Sequence, residues 1–436
     1  MKNFIKNKKH LVLAIILIFV FAGGITILAP KPKSYQVKRY LQQGQYLLSS
    51  GNYEEAEKNF NKALRLAPQS PVVHIEMAKT SLMAGDYNRA EDYLKKSLNL
   101  SPASDTKGSL YLEMGKIYAL RGNPEQAIAY FKEALNQRID SLPQKNYIEA
   151  LAYSMIGIQN IFLGNSTEAL ENLNKSLEVE LEEPMNSYVK GDVYNALANY
   201  YLIFDDIEKA KGYCEKAIEL NISPAVGQKA YLGLGKYYLY SGDYYKAASS
   251  FETSLKLFQA ADLPKGYGYA FSKFQIYDEL GKCYINLGEY EKAKEYFNEI
   301  LQIRKDLLIN PEYEYAAAST AAFLGLGRCC LGLGDYDKAL EHFNRGLNLI
   351  LGSKPKSFYE KFNIHFLSTL FHYELAETYY KKGDIVEAKK EVKGALELIQ
   401  SIPSDELLLI GKIQWFEDRK SLPQKISLLK NELEKK

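Results

Sequence analysis

Five histidines and four cysteines are the side chains of this sequence that could hold a metal ion or act as nucleophiles, and their spacing argues against both roles. His10, His74, His342, His365 and His372 are scattered; His365 and His372 stand seven apart and could share a helix face, but no Cys or paired carboxylate accompanies them. Cys214, Cys283, Cys329 and Cys330 give neither a CxxC pair nor a disulfide framework, and adjacent Cys329 and Cys330 point to different faces of a helix. The glycines around Gly325 and Gly327 imitate a phosphate-binding loop only superficially. No phosphate loop, HExxH, GxSxG or dinucleotide fingerprint is present. The expectation is a protein without catalytic residues, cofactor or metal, whose work is recognition.

Composition fits that view without narrowing it. The 436 residues are 47% hydrophobic and 25% charged, and 55 Lys plus Arg nearly balance 53 Asp plus Glu. No global field favours nucleic acid, so none is expected as a partner. The N-terminus stands apart. After a short basic tail, residues 1–10 with Lys2, Lys6, Lys8 and Lys9, the run Leu11–Ala29 has 19 residues without a charge. At about 1.5 Å per residue it is long enough to cross a bilayer as a helix. "VFA" at Val20–Ala22 roughly fits a signal-peptide cleavage pattern, and a secreted chain is the alternative; an uncleaved anchor fits better because the apolar run continues past that point. Lys31, Lys33, Lys38 and Arg39 after the span balance the lysines before it. The wholly basic tail tips the orientation toward N-inside, with the remainder of the chain extracytoplasmic.

The elements that must position any recognition surface are written as a repeat. "SGNYEEAEKNFNKAL" (Ser50–Leu64), "AGDYNRAEDYLKKSL" (Ala84–Leu98), "LGEYEKAKEYFNEIL" (Leu287–Leu301) and "GLGDYDKALEHFNRGL" (Gly332–Leu347) spell nearly one phrase. Its alanine recurs at Ala56, Ala90, Ala127, Ala169, Ala210, Ala247, Ala293, Ala339 and Ala388, at intervals of 34, 37, 42, 41, 37, 46, 46 and 49 residues. Five residues before each stands a glycine, with Asp205 the one exception. This predicts two helices joined by a turn: the glycine takes positive φ, and the next residue caps the second helix. Asn52 with Glu55 has the capping-box pattern. A second phrase, "YLEMGKIY" (Tyr111–Tyr118), "YLGLGKYY" (Tyr231–Tyr238), "YDELGKCY" (Tyr277–Tyr284) and "FLGLGRCC" (Phe323–Cys330), marks the first helix. Its glycine admits a close neighbour, and Phe60, Phe131, Phe251, Phe297 and Phe343 of the second helices fill the space. Much of the count of 35 tyrosines is taken up by such packing.

The pattern L-G-x-x-Y, G-x-Y-x-x-A, F-x-x-A resembles the tetratricopeptide repeat, and Pro68 and Pro102 stand at that family's closing position. The resemblance implies an all-α solenoid, a right-handed superhelix of about nine hairpins over residues 37–400, after a linker at 30–36 and before capping helices at 401–436. The last three long intervals resemble extended-helix arrays; Phe258–Phe274 and Arg304–Thr320 would lengthen helices or project as loops.

The resemblance also implies a concave groove lined by the first helices. The residues read off there are Gln45, Lys79, Lys116, Ile158, Asn199, Lys236, Lys282, Arg328 and Glu377. Glu76, Glu113 and Glu279 pair Lys79, Lys116 and Lys282 at i,i+3 spacing. Lys236 and Arg328 have Gly233 and Gly325 there, which leaves their charge unpaired within the helix and the groove floor open. Asn195 and Asn199 could bracket a peptide backbone with amide hydrogen bonds. Asn195, Asn199, Lys229, Lys236, Lys282 and Arg328 are therefore the expected partner-binding residues, for an extended or acidic protein segment. The function expected is that of a membrane-tethered interaction scaffold; the alternatives are a regulatory peptide receptor or an assembly factor of a cell-envelope or secretion complex.

Overall fold

The computed structural model describes residues 32–49, 52–204, 206–260, 267–303, 311–354, 358–401 and 416–435. These form helices α1 (Lys33–Ser49), α2 (Tyr53–Leu66), α3 (Pro71–Met83), α4 (Tyr87–Asn99), α5 (Ser104–Leu120), α6 (Pro124–Leu135), α7 (Leu142–Phe162), α8 (Ser166–Glu178), α9 (Met185–Ile203) and α10 (Ile207–Glu219). They continue with α11 (Pro224–Tyr240), α12 (Tyr244–Ala260), α13 (Tyr267–Asn286), α14 (Tyr290–Leu301), α15 (Pro311–Gly332), α16 (Tyr336–Leu351), α17 (Phe358–Lys382), α18 (Ile385–Gln400) and α19 (Phe416–Glu434). No strand occurs among the described residues. Each odd-numbered helix through α17 packs on the even one after it, and the principal contacts join helices that are next or next-but-one in sequence. That is the contact pattern of a solenoid.

The turn chemistry follows from the backbone. Seven of the phrase glycines, from Gly85 to Gly383, have φ between 70° and 93°. At the first of them Gly85 N–H bonds Leu82 O at 3.1 Å and Asp86 N–H bonds Ser81 O at 2.8 Å, closing the helix in a Schellman turn. Gly51 and Asp205 lie outside the described residues. The following residue then caps the second helix: Asp86, Asn123, Asp206, Asp243, Asp335 and Asp384 each accept the N–H three positions on. The capping box at Asn52 does not form. Asn52 makes no side-chain cap, and Glu55 instead takes the Lys58 ammonium at 2.6 Å, one turn along the same exposed face.

All nine ruler alanines are fully buried, as are Phe60, Phe131, Phe251 and Phe343; Phe297 is 1% exposed. A Cβ on Gly44, Gly115, Gly235, Gly281 or Gly327 would collide with the phenylalanine ring of the same hairpin, so this glycine and that ring are one packing decision. A third recurrent contact holds the hairpins together. Ser176, fully buried seven residues after its ruler alanine, donates to Ala150 O at 2.7 Å, and Ser97 and Ser254 do the same to Pro71 O and Gln228 O. The long intervals near the end of the array are spent on helix length: α13, α15 and α17 have 20, 22 and 25 residues against 13 in α3. Beyond the last hairpin, α19 buries Leu422, Ile426, Leu429 and Leu433 in the core that contains Phe371 and Val392.

The tail at 1–10 and the apolar run at 11–29 lie outside the described residues, and α1 begins at Lys33, within the expected linker. Among the described residues no helix is long and apolar enough to cross a membrane.

Candidate protein-interaction face

The odd-numbered helices present one face away from the even ones, and side chains that meet along it come from successive odd helices. Lys79 and Lys116 hold Glu76 and Glu113 at 3.0 and 2.9 Å, the local pairs that the spacing predicts. Burial pushes the Lys79 ammonium down, but the carboxylates of Glu76 and Glu113 outweigh it and hold Lys79 above its ordinary range. Glu113 belongs to the next hairpin and Tyr147, which also acts on Lys79, to the one after it. The face is thus continuous from α3 to α7.

Further along, the partners differ from those read within one helix. Lys282 takes Asp278 at 2.6 Å, and Glu279 is left for Lys236 of the preceding odd helix, at 3.7 Å. Arg328 reaches forward to Glu374 of α17 at 2.7 Å, and Lys229 reaches back to Asp192 of α9 at 2.9 Å. Lys229, Lys236 and Arg328 are therefore each paired with a carboxylate of another hairpin. Glu374 and Asp278 are 5% and 6% exposed, so these bonds are internal braces as much as surface features. Burial pushes the Asp278 carboxyl up, against the pull of Lys282.

The floor at Gly233 and Gly325 is closed as well. A Cβ on Gly233 would stand 2.8 Å from Cys214 Sγ, and one on Gly325 would strike the Phe297 ring, because the preceding even helix packs there. The two asparagines separate. Asn195 donates to Val226 O at 3.2 Å, tying α9 to α11, and its buried Oδ1 has no hydrogen-bond partner among the described residues. Asn199 is exposed. Of the six predicted groove residues, four are cations braced by carboxylates, Asn195 is a seam contact, and Asn199 alone presents an exposed amide.

The remaining reactive side chains serve packing. Burial pushes the thiols of Cys214, Cys283 and Cys329 up to about 12, so they stay protonated at neutral pH. His372 bonds Glu391 of α18 at 2.5 Å, and His74 bonds Pro68 O at 3.0 Å. Among the described residues no group of three potential metal ligands converges. Tyrosines stack between the two helices of a hairpin, as in Tyr201–Tyr213 at 5.6 Å and Tyr284–Tyr296 at 5.7 Å, with Lys209 and Lys292 over the Tyr201 and Tyr284 rings.

Among solved structures, a signal-transduction ATPase with numerous domains carrying a tetratricopeptide-repeat sensor, from Pyrococcus horikoshii, is 20% identical, with a TM-score of 0.58 over 90% of this chain. The chain spans about half, 55%, of that ATPase, and the likeness concerns the fold alone. BtubC from P. vanneervenii is 18% identical with a TM-score of 0.43, over 56% of this chain and 91% of its own. No curated protein matches. No catalytic family is indicated, and the fold is generally a non-catalytic scaffold for protein interactions. Three family models, each described as tetratricopeptide repeat, match residues 47–107, then 106–179, 228–306 and 272–350, and 191–221. With the repeated glycine turn, buried alanine and hairpin stacking, these matches make the chain a member of the tetratricopeptide-repeat proteins.

Proposed function

We propose that this chain is a membrane-tethered, non-catalytic scaffold that holds a partner protein on the face of its odd-numbered helices. The observation that carries the reading is the bracing of that face. Lys229, Lys236, Lys282 and Arg328 are each fixed by a carboxylate, so a partner meets side chains already ordered. Binding to a preformed surface avoids much of the ordering cost of association. The exposed Asn199 supplies amide hydrogen bonding at the centre of the array. Residues 11–29 serve as the tether, with the repeats extracytoplasmic, because the basic tail precedes an uncharged run long enough to span a bilayer.

The test places a photo-crosslinking amino acid at Asn199, on the odd-helix face, or at the exposed Glu215 of α10, in the full-length chain in its native membrane. The expected result is a discrete protein adduct from position 199 and none from position 215. Adducts from 215 alone would move binding to the even helices and sink the reading. Protease protection of the repeats in sealed vesicles tests their side of the membrane separately.

A further inference from the structure

The odd-helix face changes character at α7 and α9. On α7 the groove register runs Tyr147, Met155, Ile158 and Phe162, with Tyr147 37% and Phe162 48% exposed. On α9, Met185 and Tyr188 are 43% and 42% exposed. Elsewhere the chain's own cations lie over its tyrosine rings: Arg89 over Tyr93, Arg121 over Tyr118, Lys216 over Tyr213 and Lys246 over Tyr238. Among the described residues no such cation lies over the Tyr147 or Tyr188 ring, and the cation that acts on Tyr147 is Lys79 of α3.

Charge at this place is mostly negative, with Lys190 of α9 the cation that acts on Glu183. The connection between α8 and α9 carries Glu180, Glu182 and Glu183, all exposed. Asn146, next to Tyr147, donates to Glu180 O at 2.9 Å, which fixes the connection against the N-terminal end of α7. Hydrogen bonds from Ser187, then Asn186, hold the Glu183 carboxyl below its ordinary range, one turn before Tyr188. Glu180 and Glu182 enter no ion pair among the described residues. Half-exposed aromatic rings with no cation over their faces thus stand beside exposed carboxylates, Glu180 and Glu182, that enter no ion pair among the described residues.

From this juxtaposition we infer that the α7–α9 stretch docks a partner segment that combines Arg or Lys with apolar side chains. A guanidinium or ammonium group would lie over Tyr147 or Tyr188 and pair with Glu180 or Glu182, while an apolar neighbour covers Phe162 or Met185. The inference rests on the odd-helix face being the binding face. It reverses the charge expected of the partner, because Lys236, Lys282 and Arg328 already have carboxylates, whereas at α7–α9 the exposed carboxylates Glu180, Glu182 and Glu183 outnumber the one nearby cation, Lys190.

The test pans a displayed library of random dodecapeptides on the full chain in detergent. The expected winners are rich in Arg or Lys with at least one large apolar residue. Their affinity falls at least tenfold on Tyr147→Ala with Tyr188→Ala, and at least fivefold on Glu180→Lys with Glu182→Lys. These positions are exposed, and unchanged helicity confirms that the variants fold. Acidic winners, or winners indifferent to both pairs of substitutions, overturn the inference. Winners lost only when Lys236 and Glu279 are exchanged overturn it while leaving the odd-helix face as the binding surface. Basic peptides that bind only after residues 2–9 are deleted would make the chain's own tail the occupant and overturn the assignment to a partner.

Discussion

The hairpin α9–α10 and the hairpin α13–α14 close the same gap with different residues. In α13–α14 a glycine, Gly281, faces the buried ring of Phe297. In α9–α10 the corresponding residue is Ala198, 2% exposed, and its partner is the fully buried Cys214. The exchange recurs: Ala78 comes with Leu94 and Ala376 with Val392, whereas Gly115, Gly235 and Gly327 come with phenylalanine. Two positions sixteen residues apart share the space between the helices, so phenylalanine, the largest of these side chains, stands only opposite glycine, while Gly157 comes with Leu173. The faces differ in parallel. α13 carries braced charges, while α9 carries an exposed amide and an exposed tyrosine.

The largest expected effect comes from emptying the gap. Phe297→Ala should cost about 3–5 kcal/mol and Cys214→Ala about 1 kcal/mol, in proportion to the volume removed. Amide exchange read separately over each hairpin is the measurement, since a repeat array need not unfold in one step. Equal losses at the two sites would break the comparison. Overfilling sharpens it: Gly281→Ala should cost about 1–3 kcal/mol, and adding Phe297→Leu should return most of the loss by recreating the Ala78–Leu94 pair.

The faces give the next effect. Lys282→Met removes the ammonium from Asp278, a buried carboxylate, and should cost about 3 kcal/mol at neutral pH, whereas exposed Asn199→Ala should stay within about 0.5 kcal/mol. Burial already raises the Asp278 carboxyl above its ordinary range, and losing Lys282 raises it further. A folded-state value above the unfolded one contributes stability below the unfolded value and loses it as pH rises through the folded value. The penalty of Lys282→Met should therefore shrink on acidification, as Asp278 takes up a proton. A pH-independent penalty would remove the carboxylate from the account.

These cases show which parts of the molecule a single sequence discloses. The turn glycines and ruler alanines are local: each satisfies one backbone or packing constraint at a fixed offset, so repetition exposes them. Ser97, Ser176 and Ser254 stand at a fixed offset too, seven residues after a ruler alanine, a signal of the same local kind. The ion pairs are different. Lys236 joins Glu279 across two hairpins, and the choice of Asp278 over Glu279 by Lys282 depends on how the odd helices are spaced, which no interval in the sequence states. Tyr147 and Tyr188 stand at one repeat position, each 22 residues before a ruler alanine, but what sets them apart is their exposure and their neighbours, which that offset does not disclose.

The smallest expected effect concerns how each second helix begins. In α9–α10, Asp206 accepts the Lys209 N–H at 3.2 Å, and a further hydrogen bond from the Lys209 side chain helps hold the Asp206 carboxyl below its ordinary range. In α13–α14 the same position is Glu289, which makes no side-chain cap. Its carboxylate sits one methylene too far from the backbone to accept the N–H two or three residues on without bending back. Glu289→Asp should therefore add a cap to α14 and stabilise that hairpin by about 0.5–1 kcal/mol, with slower amide exchange confined to the first turn of α14 and its neighbours. The gain should persist above the unfolded aspartate value and shrink as pH falls through the lower folded-state value, since the ionised carboxylate accepts the N–H more strongly than the neutral carboxyl does. A gain that did not shrink at all on acidification, or that spread evenly over the array, would mean that the substitution acts through something other than the missing cap, and the two hairpins would then begin their second helices on different terms.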